Sequence, residues 1–280
     1  MKAKIVPYNQ ERGNAIRNVL FVFELVVPVA PHAMADFESV TELHGKLKAL
    51  LPKYSELQQV VMNLGPNGVA QQFQMPSLMN GCSFERFDNK GEIALGLNIQ
   101  PGAITISCGD YNRWKSVHDS IVEILNLLAP WLLQNGVRTN NFVLQYVDEF
   151  SVSFQGGGDR SLCALFDVNS SYIVRNFENL QQEFHSHHGY FKDPEYKIAG
   201  RVLNNINIGV NFVGAKSVVQ IQTAHKYQAN AMLDIVDKQG VFSADLDGAF
   251  EYLHQENKQI IGELLTEEVK EMISFNSREV

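Results

Sequence analysis

Apolar residues recur at helical spacing in three places along this chain, each time beside a histidine. Leu43-His44 leads to Leu47, Leu50 and Leu51, Val117-His118 to Ile121, Ile124 and Leu125, and Leu253-His254 to Ile260 and Ile261. Such spacing places the apolar residues on one helical stripe with the histidine at its edge. Most of the remaining chain reads as strands, so these helices are the elements expected to cover sheets. Val19–Pro28, rich in Val and Phe, predicts a strand covered on both faces. Asp36 is placed to cap the first helix, which carries Phe37, Val40, Leu43, Leu47 and Leu51 and ends at Pro52.

From Gln71 to Ser107, short runs are broken at Pro76, Asn80-Gly81, Asn89-Lys90-Gly91 and Pro101-Gly102. These are turn residues, and the stretch predicts an antiparallel meander. A helix follows Gly109, with Trp114, Val117, Ile121, Leu125, Leu128 and Trp131 at helical spacing, and Gly136 closes it. Asn141–Phe154 alternates as a long strand, with Phe142, Leu144, Tyr146, Asp148, Phe150, Val152 and Phe154 on one face. Further strands are predicted near Cys163–Asp167, Tyr172–Phe177, Arg201–Phe212 and Ser217–Tyr227. A terminal helix begins near Ser243 and carries Leu246, Phe250, Leu253, Ile260, Leu264 and Met272.

The fold class expected is α+β, with antiparallel sheets in two strand-rich halves, each covered by long amphipathic helices. The boundary falls at Gln155-Gly-Gly-Gly-Asp-Arg160, because three glycines in a row are costly in any regular element. That gives halves at 1–155 and 161–280, which can also form one inseparable unit.

Composition narrows the function classes. With 280 residues, 45% hydrophobic and 19% charged, the chain can bury a substantial core. The net charge is −8 and no Lys/Arg block occurs, which argues against nucleic acid as a partner. Cys82, Cys108 and Cys163 are odd in number and form no Cys-x-x-Cys, the usage of a reducing compartment. Met1–Gly13 has no signal-peptide core, and Val19–Val29 is too short to span a bilayer and is interrupted by Glu24. A soluble cytoplasmic protein that does not engage the membrane is expected.

Glu24 and Asp148 are the carboxylates that most disturb apolar strands. A buried carboxylate must find donors or a cation, or take up a proton, and two facing each other can do acid and base work. The alternative is that each accepts hydrogen bonds and anchors a strand. Phe184-His-Ser-His-His-Gly-Tyr190 holds the only histidine cluster. In an extended segment His185 and His187 share a face, and His225 or Asp193 can complete a metal set, although the spacing matches no established metal motif. Gly156-Gly157-Gly158 invites a phosphate reading, but a strand-like segment follows where a phosphate loop needs a helix, so a flexible connector is favoured. His44, His118 and His254, with Trp114 and Trp131, are expected as core and core-edge residues. Asn205, Asn207 and Asn211, with Gln220 and Gln222 on the next strand, predict an uncharged amide face suited to a partner or a small polar ligand. The alternative for that face is simple solvation.

Four stretches resemble a family of sporadically distributed prokaryotic proteins of uncharacterised function. They are Asn18-Val-Leu-Phe-Val-Phe-Glu-Leu25, Tyr111-Asn-Arg-Trp114, Leu144-Gln-Tyr-Val-Asp-Glu-Phe150, and the Leu253-His254 helix running to Leu265-Thr-Glu-Glu-Val269. The third departs from the family pattern Arg-Tyr-Ile-Asn, reading Gln145-Tyr-Val-Asp148, and the terminal helix has Ile261 where Phe is frequent. The resemblance spans nearly the whole chain and implies one architecture from end to end, found in mobile or defence-related loci. It supplies no catalytic site. The expectation is a non-enzymatic binding or assembly protein, without a cofactor, that associates with itself or with a protein partner. The alternatives are a hydrolase using Glu24 and Asp148 or a metal at His185 and His187, and a sensor of a small ligand or peptide.

Overall fold

A computed structural model describes residues 3–30, 33, 41–58, 62–64, 70–72, 79–154, 162–177, 183–213 and 216–275. Its first half contains β1 (Lys4–Pro7), β2 (Ile16–Leu25), α1 (Thr41–Leu50), β3 (Lys53–Gln58), β4 (Met62–Leu64), β5 (Ala70–Gln72), β6 (Met79–Phe87), β7 (Ile93–Gln100), β8 (Ala103–Cys108), α2 (Trp114–Gln134) and β9 (Arg138–Ser153). The second half contains β10 (Phe184–Lys192), β11 (Gly200–Val213), β12 (Lys216–Asp234), α3 (Ala244–Leu264) and α4 (Glu267–Met272). The glycine connector, the Asp36 cap and the turn at Pro76 lie outside the described residues.

The α+β class with antiparallel pairing holds. The strands do not form one sheet per half, however. They form one ten-stranded sheet in the order β10-β11-β12-β9-β2-β8-β7-β6-β3, with β1 also pairing β9, and β4 and β5 make a separate small ladder. β9 joins the halves. It pairs β2 from Asp148↔Ile16 to Thr139↔Leu25, and β12 from Ser153↔Lys216 to Arg138↔Asp234.

Outward from the β2–β9 pair, the sheet repeats itself. On one side a first strand (β2) is flanked by the last strand of a meander (β8, then β7 and β6), and the chain leaves through the 21-residue α2. On the other side β9 is flanked by β12, then β11 and β10, and the chain leaves through the 21-residue α3. Because β2 and β9 run antiparallel, the two units are related by an approximate two-fold between them.

Both long helices pack against the same face. Phe250 of α3 touches Phe21, Phe23 and Phe142, while Trp114 of α2 stacks on Phe21. The opposite face carries the alternate residues at intermediate exposure, so β2 alternates as an ordinary one-sided strand and is not covered on both faces.

Several local expectations are corrected. Asn80-Gly81 lies inside β6, where Gly81 takes φ 139° and the Ile99 carbonyl comes too close for any Cβ. Cys163–Asp167 begins in a single 3₁₀ turn, and Tyr172–Phe177 is turn, because Asp and Ser side chains there accept from the local backbone (Asn169 N–H to Asp167 Oδ1, Tyr172 N–H to Ser170 Oγ). The terminal helix stops at Leu264, and α4 begins after the Thr266 cap.

Candidate functional site

The buried interior separates into two apolar clusters. One gathers β2, β6, β7, β8, α1, α2 and the start of α3, and the other lies under the end of α3 and α4. Between them the chain changes chemistry on four neighbouring elements. On β9 the order is Tyr146, Asp148, Phe150; on β12 it is Tyr227, His225, Thr223, Ile221; on β11 it is Val202, Asn204, Ile206; on α3 His254 and Asn257 fall between Leu253 and Ile260. Registry places these strand residues on the covered face, with Asn204 opposite His225 and Thr223 opposite Tyr146. A buried polar belt therefore crosses the sheet beneath α3.

Most of the belt satisfies itself. Thr223 donates its hydroxyl to Asn257 Oδ1 at 2.6 Å, and His225 Nε2 lies 3.2 Å from the same oxygen. Desolvation lowers His225 to about 4, so the ring is neutral near pH 7 and carries one N–H. If Nε2 holds it, Nδ1 must accept, which requires the Asn204 amide to present its NH2 across the 2.7 Å contact. That half-turn gives Asn204 Nδ2 its acceptor and puts Oδ1 in the unpartnered position. Tyr146 Oη and His254 Nδ1 share a 2.8 Å hydrogen bond, and the His254 ring stacks on Trp114 at 4.2 Å. Trp114 in turn donates to Glu251 at 2.6 Å, which fixes the ring that carries the stack.

Asp148 is the belt's one carboxylate. It is 4% exposed, its Oδ2 has no hydrogen-bond partner, and burial pushes its carboxyl up to about 7. Beside it lies a cavity of about 70 Å³ lined by Tyr146, Tyr111, Asn14, His254, Asn257 and Lys258, with Arg113 and Phe275 among its other neighbours. Asn14 is itself held in place, its amide donating to the Tyr111 carbonyl at 3.3 Å and accepting from Ile16 N–H at 3.2 Å.

The other expected site residues fall elsewhere. Glu24 is on the opposite face from Asp148, because Phe23 pairs with Phe142 on the covered face and the next residue points away. It grips Lys226 Nζ at 2.6 and 2.7 Å, so the two carboxylates do not face each other. The proposed metal set is also dispersed. β10 is an edge strand, His185 and His187 are on its exposed face, and His225 is buried on the other face; among the described residues no group of three His, Cys, Asp or Glu is arranged to hold a metal. Asn205, Asn207, Gln220 and Gln222 do share a face, with Asn207 directly opposite Gln222, and Asn211 lies on it at Val218. That face is not free of charge. Gln220 donates to Glu149, which also holds Arg17, and Asn207 is bonded to His187.

Tyr111, Arg113, Asn257, Thr223 and Asn204 were not among the expected site residues. A signal existed for Asn204 and Thr223: each interrupts an otherwise apolar run on the inward parity of its strand. His254 and Asn257 sit three residues apart, one helical step on the same side. Tyr111, Arg113, Tyr146, Asp148 and His254 come to this cavity from the segment before α2, from β9 and from α3. No protein-family model matches the chain, and no curated protein matches it. Among the described residues no helix is long and apolar enough to cross a membrane.

Proposed function

We propose that the protein works by binding, and that its ligand seat is the cavity beside Asp148. One observation carries this reading: a carboxylate oxygen buried without a donor, on the wall of a cavity at the edge of the polar belt. A buried acceptor left unpaired costs about 1–3 kcal/mol, more when charged. The first half of the same sheet covers its helix with apolar residues alone, so the architecture does not require that cost. A carboxyl perturbed by burial on a cavity wall with convergent polar groups is a candidate functional group.

The test is native mass spectrometry of the full chain, purified gently and without chelators from its own host. A small-molecule adduct present on the natural protein and absent from Asp148→Asn supports the reading. Identical bare-chain spectra for both proteins, at matched purity, count against it. Integer multiples of the chain mass, or a second polypeptide, support the wider proposal of a cytoplasmic assembly protein of the sporadically distributed family, with the Asn205, Asn207 and Gln222 face as its contact.

One feature favours a catalytic second reading. A carboxyl that titrates near 7 is suited to proton transfer. As a hydrolase the protein would use Asp148 without Glu24. Turnover of a substrate that disappears in Asp148→Asn, with folding intact, would replace binding by catalysis.

A further inference from the structure

The seat beside Asp148 has a floor and a rim of opposite sign. Asp148 is the deep group, buried among Tyr146, Ile16 and Ala15, whereas Arg113 is exposed and Lys258 half-buried on the same cavity wall. Two cations at one opening stand out on a chain whose net charge is −8. A larger surface cleft of about 650 Å³ near Tyr8 and Arg12 lacks this polarity, since its carboxylates, Glu11, Asp88, Glu92 and Asp110, are all exposed and none forms a buried floor.

Resting on the reading of this cavity as a ligand seat, we propose that it takes a small zwitterion, with a primary ammonium group on Asp148 and an anionic group held at the rim by Arg113 and Lys258. Size supports the head group. A volume of about 70 Å³ is less than half of the roughly 150 Å³ that accommodates benzene, so a ring does not enter but an ammonium and its carbon do. Donor count supports it as well: an ammonium brings three N–H groups, one for the unpartnered Oδ2 and others for neighbouring acceptors. The rings of Tyr111, Tyr146 and Phe275 on the same wall favour a cation over a neutral donor. Charge order then excludes the simpler ligands. A bare amine must pass two cations, and a bare anion gains nothing from the carboxyl floor. The shared chemistry belongs to free α-amino acids and to aminoalkyl phosphates alike.

Binding is also linked to protons. The titratable and charged groups that line the cavity with Asp148 are Tyr146 on its own strand, Tyr111 and Arg113 before α2, and His254 and Lys258 on α3. A cation requires Asp148 ionised, so affinity falls about tenfold for each pH unit below about 7.

The experiment is isothermal titration of the full chain, at pH 6 and pH 8, with the free amino acids, phosphoethanolamine, methylamine, acetate and inorganic phosphate. One zwitterion is expected to bind at least tenfold more tightly than methylamine or either anion, and whether it is an amino acid or the aminophosphate distinguishes the sources. Asp148→Asn is expected to weaken it more than tenfold and Arg113→Gln severalfold, with Lys226→Gln unchanged. Arg113 is exposed, so its variant keeps the test valid if the buried substitution disturbs folding. Tight Asp148-dependent binding of a ligand without an ammonium group overturns the zwitterion while leaving the seat in place. If no zwitterion binds, or if one binds equally to Asp148→Asn and Arg113→Gln, the inference falls, and the adduct experiment separately decides whether a seat exists.

Discussion

The two units that meet at the β2–β9 pair have the same order of elements and different interiors. In the first, the positions facing the helices are Val19, Phe21 and Phe23 on β2, Ile104, Ile106 and Cys108 on β8, and Leu95, Leu97 and Ile99 on β7, all buried and all apolar. In the second, the corresponding strands carry Tyr146 and Asp148, Thr223 and His225, and Asn204 amid their apolar residues. A sheet under a long helix is thus built once in this chain with only apolar residues at the helix-facing positions of those three strands, and once with a belt of polar ones. The first version shows that this arrangement of strands and helix does not by itself call for such a belt.

The comparison breaks most completely if the units are separable. Phe250 comes from the second half and fills the core of the first, against Phe21 and Phe23, and β12 covers one edge of β9 along most of its length. A fragment of residues 1–155 would expose that edge and lose that aromatic cluster. It is expected to aggregate or show no cooperative thermal transition by circular dichroism. A well-dispersed amide spectrum and a sharp melt from the fragment alone would show that the units are independent domains.

The next largest effect concerns the price of Asp148. Its carboxyl ionises near pH 4 in the unfolded chain and near 7 in the folded one, so between these values the folded state keeps a proton that the unfolded state has lost. Stability therefore falls as pH rises from about 4 to 7, by on the order of 4 kcal/mol. His225 acts in the opposite sense. Its folded value of about 4 lies below the ordinary 6.5, so its contribution is lost as pH falls through that interval, on the order of 3 kcal/mol. The two largely cancel in the natural protein. Asp148→Asn removes one of them, so the variant is expected to be more stable than the natural protein at pH 8, equal to it near pH 4, and newly dependent on pH between. Denaturant titration across this range checks it, and a variant less stable at pH 8 would make Asp148 a structural anchor.

The belt itself gives a smaller effect. Asn257 Oδ1 meets both Thr223 and His225, so Asn257→Leu strands two buried donors and is expected to cost about 1–3 kcal/mol. Adding Thr223→Val, His225→Phe and Asn204→Leu to it converts the belt to the chemistry of the first half. Most of the loss is then expected to return in chemical denaturation. If the fourfold variant stays as weak as the single one, the two interiors are not interchangeable.

Much of the architecture was legible because alternation and helical spacing report which side of an element is covered. Asn141–Phe154 named the inward residues of β9 from Phe142 to Val152 and missed buried Thr139 before them, and the spacing of Trp114 to Trp131 found α2. The join between the halves was not legible. Alternation gives the face of a strand but not its neighbour, so nothing local says that β9 lies between β2 and β12. Asp148 was found as a polar break in an apolar run. Whether Glu24 faces it stayed open in the sequence, because relative parity of two strands is invisible until their register is known. Tyr111 and Arg113 precede a helix in an irregular segment, where no periodicity tells which side chains turn inward. The amide face was read correctly as a shared surface of β11 and β12, while Glu149 and Arg17, which charge it, come from β9 and β2.

The ion pair of Glu24 supplies the smallest expected effect and the sharpest control. Glu24 and Lys226 span the open face from β2 to β12 across β9, with side chains 39% and 27% exposed. An ion pair that wet gains little over hydrated charges and is screened by salt, so Glu24→Gln is expected to cost less than about 1 kcal/mol. It should also leave any ligand bound beside Asp148 untouched, since the whole thickness of the sheet separates the two carboxylates. A change in ligand affinity comparable to that of Asp148→Asn would mean that the faces communicate through β9. The contrast between a paired, solvated carboxylate and a buried, unpartnered one would then have to be redrawn as a single device running through the sheet.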